Sequence, residues 1–155
     1  MNKKNDKSRK IIAELKKLFP KTKIALNYTN NWELLVAVVL SAQSTDKKVN
    51  EVCGRLFKKY RRLEDYTNAK LNKFEDDIKQ IGLFRNKAKN ILLSAKIIKE
   101  KFKGELPKTM EEMLSLPGIG RKSANVILGN AYGVVEGIAV DTHSCEPIVK
   151  TFRAY

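Results

Sequence analysis

Two adjacent cations, Arg121 and Lys122, directly follow the string Leu116-Pro117-Gly118-Ile119-Gly120. Glycines at alternate positions let a backbone turn sharply and approach a ligand closely. Pro117 and Gly118 stop a preceding helical pattern, and Gly120 is expected to supply a second unusual backbone angle. A new helix is expected from about Arg121, with Ala124, Val126, Ile127 and Leu128 to bury. Its first N–H groups carry a partial positive charge and lack partners within the helix. Such a helix start is a seat for phosphate, reinforced here by two full positive charges. Taken alone, the string also fits an ordinary turn between helices.

Further along stands Val140-Asp141-Thr142-His143. From spacing alone, Asp141 could simply cap a helix. His143 is the only histidine and has no partner at metal-ligand spacing, so it reads as structural. Cys53 and Cys145 are far apart and likewise show no metal pattern.

The elements that would position these groups read as helices. Ile11, Ile12, Leu15, Leu18 and Phe19 fall at helical spacing before Pro20. Asn30 or Asn31 can cap a segment, Trp32 to Leu40, that is apolar nearly all round and therefore central. Ser41-Ala42-Gln43-Ser44-Thr45-Asp46 then forms a polar turn, with Thr45 and Asp46 as capping types for a helix carrying Val49, Val52, Leu56 and Phe57. Thr67 is expected to cap a helix bearing Leu71, Phe74, Ile78 and Ile81, and Gly82 to mark the following turn. A long helix holds Ala88, Ile91, Leu92, Ala95, Ile98 and Phe102. Thr109 with Glu112 forms a capping-box signature ahead of Met113, Leu114 and Leu116. The fold class is all-α, with about eight helices and no convincing strand.

Whole-chain numbers agree with a polyanion as partner. The 155 residues suffice for one domain with a core, and 43% are apolar, which excludes a disordered chain. Lys and Arg total 31 against 17 acids, a net charge of +14. That excess suits nucleic acid, although a generally Lys-rich surface would give the same number. Neither a signal peptide nor a transmembrane run is legible, and two separated cysteines suit a reduced, intracellular chain.

Leu-Pro-Gly-Ile-Gly-Arg-Lys-Ser-Ala followed by Val-Asp-Thr-His resembles the helix-hairpin-helix DNA glycosylases, in particular the endonuclease III family. The resemblance implies that Lys122 is a nucleophile and Asp141 its acidic partner. It implies a DNA interface made by Leu116, Gly118, Ile119, Gly120 and Arg121. Ser41-Ala42-Gln43-Ser44-Thr45-Asp46 is similar to the family's Ser-Ala-Gln-x-Thr-Asp, whose glutamine enters the duplex beside an extruded nucleotide, and this points to Gln43. Ile81-Gly82-Leu83-Phe84-Arg85-Asn86-Lys87-Ala88 is similar to a second family string. There Leu83 would be a wedge between bases rather than a core residue. His143 would support the aspartate.

The chemistry so implied is base excision. An amine attacks C1′ of an extruded nucleotide, the damaged base departs, and the resulting imine acidifies the C2′ proton so that the 3′ phosphate leaves by β-elimination. A helix start, the neighbouring Arg121 and partial burial are expected to favour the uncharged amine that attack requires. The implied protein is a bifunctional glycosylase and abasic-site lyase acting on damaged bases, oxidised pyrimidines above all, in double-stranded DNA. Its implied setting is a bacterial cytoplasm, at the nucleoid, as a monomer. The alternatives are a non-catalytic helix-hairpin-helix DNA-binding module or an inactive truncated fragment.

The resemblance covers roughly residues 8–143. Beyond it, Ser144-Cys145-Glu146-Pro147 replaces the family's continuing helix, in which Pro147 would cost ~3 kcal/mol. The four cysteines of the family's 4Fe–4S loop are absent from the sequence, so no cofactor and no metal site are expected. These departures suggest a C-terminally truncated or frameshifted member. The expected organisation is an N-terminal helix of an incomplete second lobe (1–23), a helical lobe (24–135) holding the helix-hairpin-helix (109–132), and a catalytic-Asp segment with a divergent tail (136–155). The six-helix barrel-like lobe would be largely present and the iron–sulfur lobe mostly missing, leaving the apolar face of the first helix exposed.

Overall fold

The computed structural model of the chain describes residues 3–18, 20 and 23–137. Asp141, His143 and Cys145 lie outside the described residues, as does Phe19. Eight helices and no strand occur among the described residues: α1 (Lys3–Leu18), α2 (Asn31–Ser41), α3 (Asp46–Lys59), α4 (Leu63–Thr67), α5 (Leu71–Ile78), α6 (Phe84–Lys101), α7 (Met110–Leu114) and α8 (Arg121–Tyr132).

The apolar sequence of α2 explains its place. Leu34, Leu35, Val36, Ala37 and Leu40 are wholly buried, because the helix packs against α3, α6 and α8 at once. Its start is fixed locally. Asn30 Oδ1 accepts the Glu33 N–H at 2.9 Å, while the Glu33 carboxylate accepts Thr29 N–H at 2.7 Å and the Thr29 hydroxyl at 2.8 Å. A buried glutamate is tolerated because these donors replace water.

The second organising element is α6, which packs against α2, α4 and α5. Ala88, Ile91, Ala95 and Ile98 form its buried stripe. An aromatic cluster closes the core between α4 and α5: the Tyr66 ring lies 5.1 Å from Trp32, 5.2 Å from Tyr60 and 5.8 Å from Phe74. Edge-on and tilted pairs of this kind add stability beyond the area they bury.

One boundary differs from the sequence expectation. Thr67 does not cap α5; it ends α4, its hydroxyl donating to the Glu64 carbonyl at 3.0 Å, and Lys70 stands at the N-cap of α5. Five residues with strong tertiary partners thus form a helix too short for periodicity to reveal. Thr45, one of the two capping types expected there, is the N-cap of α3, accepting the Lys48 N–H at 3.4 Å. The apolar side chains Ile11, Ile12, Leu15 and Leu18 of α1 are exposed.

Candidate nucleic-acid interface

The hairpin is built by α7, a tight loop and α8. Thr109 starts α7 by accepting the Glu112 N–H at 3.3 Å, and its hydroxyl donates to the Glu112 carboxylate at 2.9 Å. After Leu114 the chain turns through Ser115 and Leu116, and the Ile119 N–H returns to the Leu116 carbonyl at 3.3 Å. Leu116 and Ile119 are 2% and 6% exposed. Their side chains are therefore core anchors, and any contact they offer a ligand is through backbone.

The two glycines do different things. Gly118 adopts φ +79, and a Cβ there would stand 2.5 Å from Asn90 Nδ2. Gly120 does not take the second unusual angle expected of it. Its φ of −92 and ψ of 171 are extended, the geometry of an N-cap that leads straight into α8. A Cβ on Gly120 would meet nothing within 4 Å, and no side chain caps α8. The start of α8 is thus open on the side where an anion would dock. Arg121 and Lys122 are the first two residues of the helix and both are exposed. The partial burial expected for Lys122 is not found among the described residues, because the first turn of α8 projects beyond the packed layer formed by Ala124, Ile127 and Leu128.

The polar turn after α2 brings a second group to the surface. Gln43 is exposed and left-handed, with φ 54. Leu83 is also left-handed, with φ 56, and is 60% exposed. It is not a core leucine. Gly82 lies in the turn expected there, and Leu83 completes it, serving as N-cap of α6 without any side-chain bond. The two loops adjoin: a Cβ on Gly82 would lie 3.6 Å from the Gln43 carbonyl oxygen. Left-handed backbone at two non-glycine residues carries a cost that the surrounding packing must sustain.

Two residues to which the sequence alone assigns no role, Lys87 and Asn90, are central to this arrangement. Lys87, one turn into α6, is 5% exposed, and its Nζ donates to the carbonyls of Leu40 at 2.9 Å and Ala42 at 2.6 Å and to Ser44 Oγ at 3.4 Å. Burial holds its ammonium below the usual lysine range. Asn90, three residues on, is the side chain against Gly118. The available signal was the spacing 83, 87, 90, which puts all three on one helix face. A concavity of about 650 Å3 lined by Leu26, Tyr28, Glu33, Phe57 and Arg61 contains none of these groups. Asp141 lies outside the described residues, so its distance from Lys122 is not part of this geometry.

Residues 36–152 match the family described as HhH-GPD superfamily base excision DNA repair protein. The chain is 52% identical over 126 residues to endonuclease III of Bacillus subtilis, covering 81% of this chain and 57% of that protein. It is 44% identical over 143 residues to endonuclease III of Synechocystis, covering 92% of this chain and 65% of that protein. The chain therefore spans about three-fifths of the length of these relatives. Among solved structures, a trapped endonuclease III–DNA covalent intermediate superposes with a TM-score of 0.84 at 48% identity, over 92% of this chain and 66% of that one. A thermostable thymine-DNA glycosylase shares the fold, with a TM-score of 0.81 at 21% identity.

An iron–sulfur cluster of the four-thiolate kind does not fit the residues present. The chain has two cysteines. Cys53 is buried within the core, and burial, with Glu33 nearby, pushes its thiol up to about 12, the opposite of what a ligand thiolate needs. Among the described residues no three His, Cys, Asp or Glu side chains are grouped to hold a metal ion. No helix among them is long and apolar enough to cross a membrane.

Proposed function

The chain belongs to the HhH-GPD superfamily of base excision DNA repair proteins, and we propose that it is a DNA glycosylase with abasic-site lyase chemistry centred on Lys122. Its partner is double-stranded DNA carrying damaged bases, with oxidised pyrimidines as the preferred class, or abasic sites. The observation that carries this reading is the open start of α8, where an uncapped, unobstructed Gly120 precedes two exposed cations in a protein of net charge +14. The hairpin amides and Arg121 grip a phosphate, which fixes the duplex relative to Lys122.

With the nucleotide extruded, the Lys122 amine attacks C1′. The C1′–N bond breaks, the base leaves with a proton, and the sugar ring opens to an imine on Nζ. Loss of the C2′ proton then expels the 3′ phosphate, and water releases the lysine. In this reading Asp141 accepts protons and stabilises positive charge on the sugar in the transition state. Gln43 and Leu83 occupy the gap left in the stack, which lowers the cost of extrusion. Such work places the protein with the chromosome.

A duplex bearing one oxidised pyrimidine tests the reading. The chain nicks that strand at the lesion, and Lys122→Ala does not. Tight binding with no nicking by either protein would instead favour a module that only grips the DNA backbone.

A further inference from the structure

Lys87 sits where both exposed loops originate. Its backbone N–H bonds the Leu83 carbonyl at 3.1 Å, closing the first turn of α6 directly beneath Leu83. Its side chain crosses to the other loop and bonds the carbonyls of Leu40 and Ala42, the second of which immediately precedes Gln43, and Ser44 Oγ, which immediately follows it. An ammonium has three N–H donors, and these three oxygens use them all.

A fold alone does not ask for this residue. Burying an ammonium is costly, and a well-packed apolar side chain of similar volume commonly stabilises as much or more. What the ammonium supplies is direction. At the end of α2 the Val38 carbonyl takes the Ser41 hydroxyl and the Ser41 carbonyl takes the Ser44 N–H, whereas the Leu40 carbonyl would otherwise lack both a donor and, with no basic residue in the last turn, a favourable charge. Lys87 provides both from a different helix, and it does so by pinning the chain on either side of a single left-handed residue, Gln43.

We propose that Lys87 is a positioning residue for lesion recognition, a clamp that holds Gln43 and Leu83 in fixed register so that the two enter the duplex as one unit. This rests on the reading of Gln43 and Leu83 as insertion residues. Lys87 touches neither DNA nor the reacting atoms; it acts through Gln43.

The test compares wild type, Lys87→Met, Gln43→Ala and the double variant. Each is titrated with an undamaged duplex and with a duplex holding a stable abasic-site analogue opposite 2-aminopurine. The ratio of the two affinities measures lesion discrimination, and 2-aminopurine fluorescence reports whether the gap is filled. Lys87→Met is expected to lose at least about tenfold in discrimination while binding undamaged duplex as wild type does, since a misplacement of an ångström is enough for such a loss. Its fluorescence change is expected to match that of Gln43→Ala, and the double variant to lose no more than Gln43→Ala alone. Should Lys87→Met not fold by circular dichroism, Lys87→Gln is measured in its place. If Gln43→Ala loses discrimination while the Lys87 variant keeps it, or if the two losses add, the clamp is refuted and the insertion reading stands. If Gln43→Ala itself keeps full discrimination and fluorescence, the insertion reading falls and the clamp falls with it.

Discussion

Asn90 packs its side chain directly against the Gly118 backbone, so that the Nδ2, Cγ and Cβ atoms of Asn90 would all lie within 3.2 Å of a Cβ at Gly118. This links α6 to the hairpin at the same time as Leu83 and Lys87, on the same face, link it to the Gln43 loop. One helix thus spaces the hairpin turn from the loops that carry Gln43 and Leu83. The two hairpin glycines should separate under mutation accordingly. Gly118→Ala meets both a left-handed backbone and Asn90, and should lose ~2 kcal/mol or more in chemical denaturation. Gly120→Ala has room for its Cβ and an ordinary φ, so its stability should stay within ~0.5 kcal/mol of wild type. Its duplex affinity should nevertheless fall, because the new methyl group stands where the phosphate approaches.

Leu83 should show a conflict between stability and function. Left-handed backbone costs a leucine ~1–2 kcal/mol, whereas glycine there loses only ~0.5–1 kcal/mol through the freedom of the unfolded chain. Leu83 is largely exposed, so little packing is forfeited. Leu83→Gly should therefore melt at or above the wild-type temperature by calorimetry. The same variant should lose its preference for abasic-site over undamaged duplex, because the apolar wedge is gone.

Salt should discriminate between kinds of contact. Duplex affinity of a protein with this charge is expected to fall steeply as salt rises, through release of condensed cations. Arg121→Ala should weaken binding to all sequences alike and make the slope of log affinity against log salt shallower by about one. Gln43→Ala should leave that slope unchanged. Fluorescence anisotropy across a salt series measures both.

The core should be sensitive to alkali. Cys53 is raised from 9.0 to about 12 by burial, with Glu33 adding to the shift, and burial raises Tyr60 and Tyr66 in the same direction. A thiol whose folded pKa is raised releases its proton first in the unfolded chain. The stability it contributes is fully present below pH 9 and is lost as pH climbs from there towards 12. From Cys53 alone the loss approaches ~1.4 kcal/mol per pH unit within that window. Guanidinium unfolding between pH 8 and 10.5 should show the decline, and Cys53→Ala, although less stable at pH 8, should show a flatter one.

Much of this arrangement was legible in the chain. The all-round apolar run from Trp32 to Leu40 could only be central, and Asn30, Thr45 and Thr109 declare helix starts through their own side-chain chemistry. The hairpin could be read because glycine and proline leave few backbone options. What escaped was set by tertiary contacts. Gly82 marks the turn, but the left-handed residue in it is Leu83, where packing overrides a leucine's preference. Lys87 reads as one more surface lysine until its acceptors, more than forty residues away, are brought beside it. The second glycine of the hairpin is extended rather than bent, and a Cβ on it would meet nothing within 4 Å.

The most direct test is covalent. Borohydride is added while the chain acts on abasic-site DNA, and the reduced adduct is digested and mapped by mass spectrometry. A sugar remnant on Lys122, absent in Lys122→Ala, is the predicted result. An adduct on any other residue, or none from a folded protein that binds the same DNA, would contradict a catalytic role for Lys122.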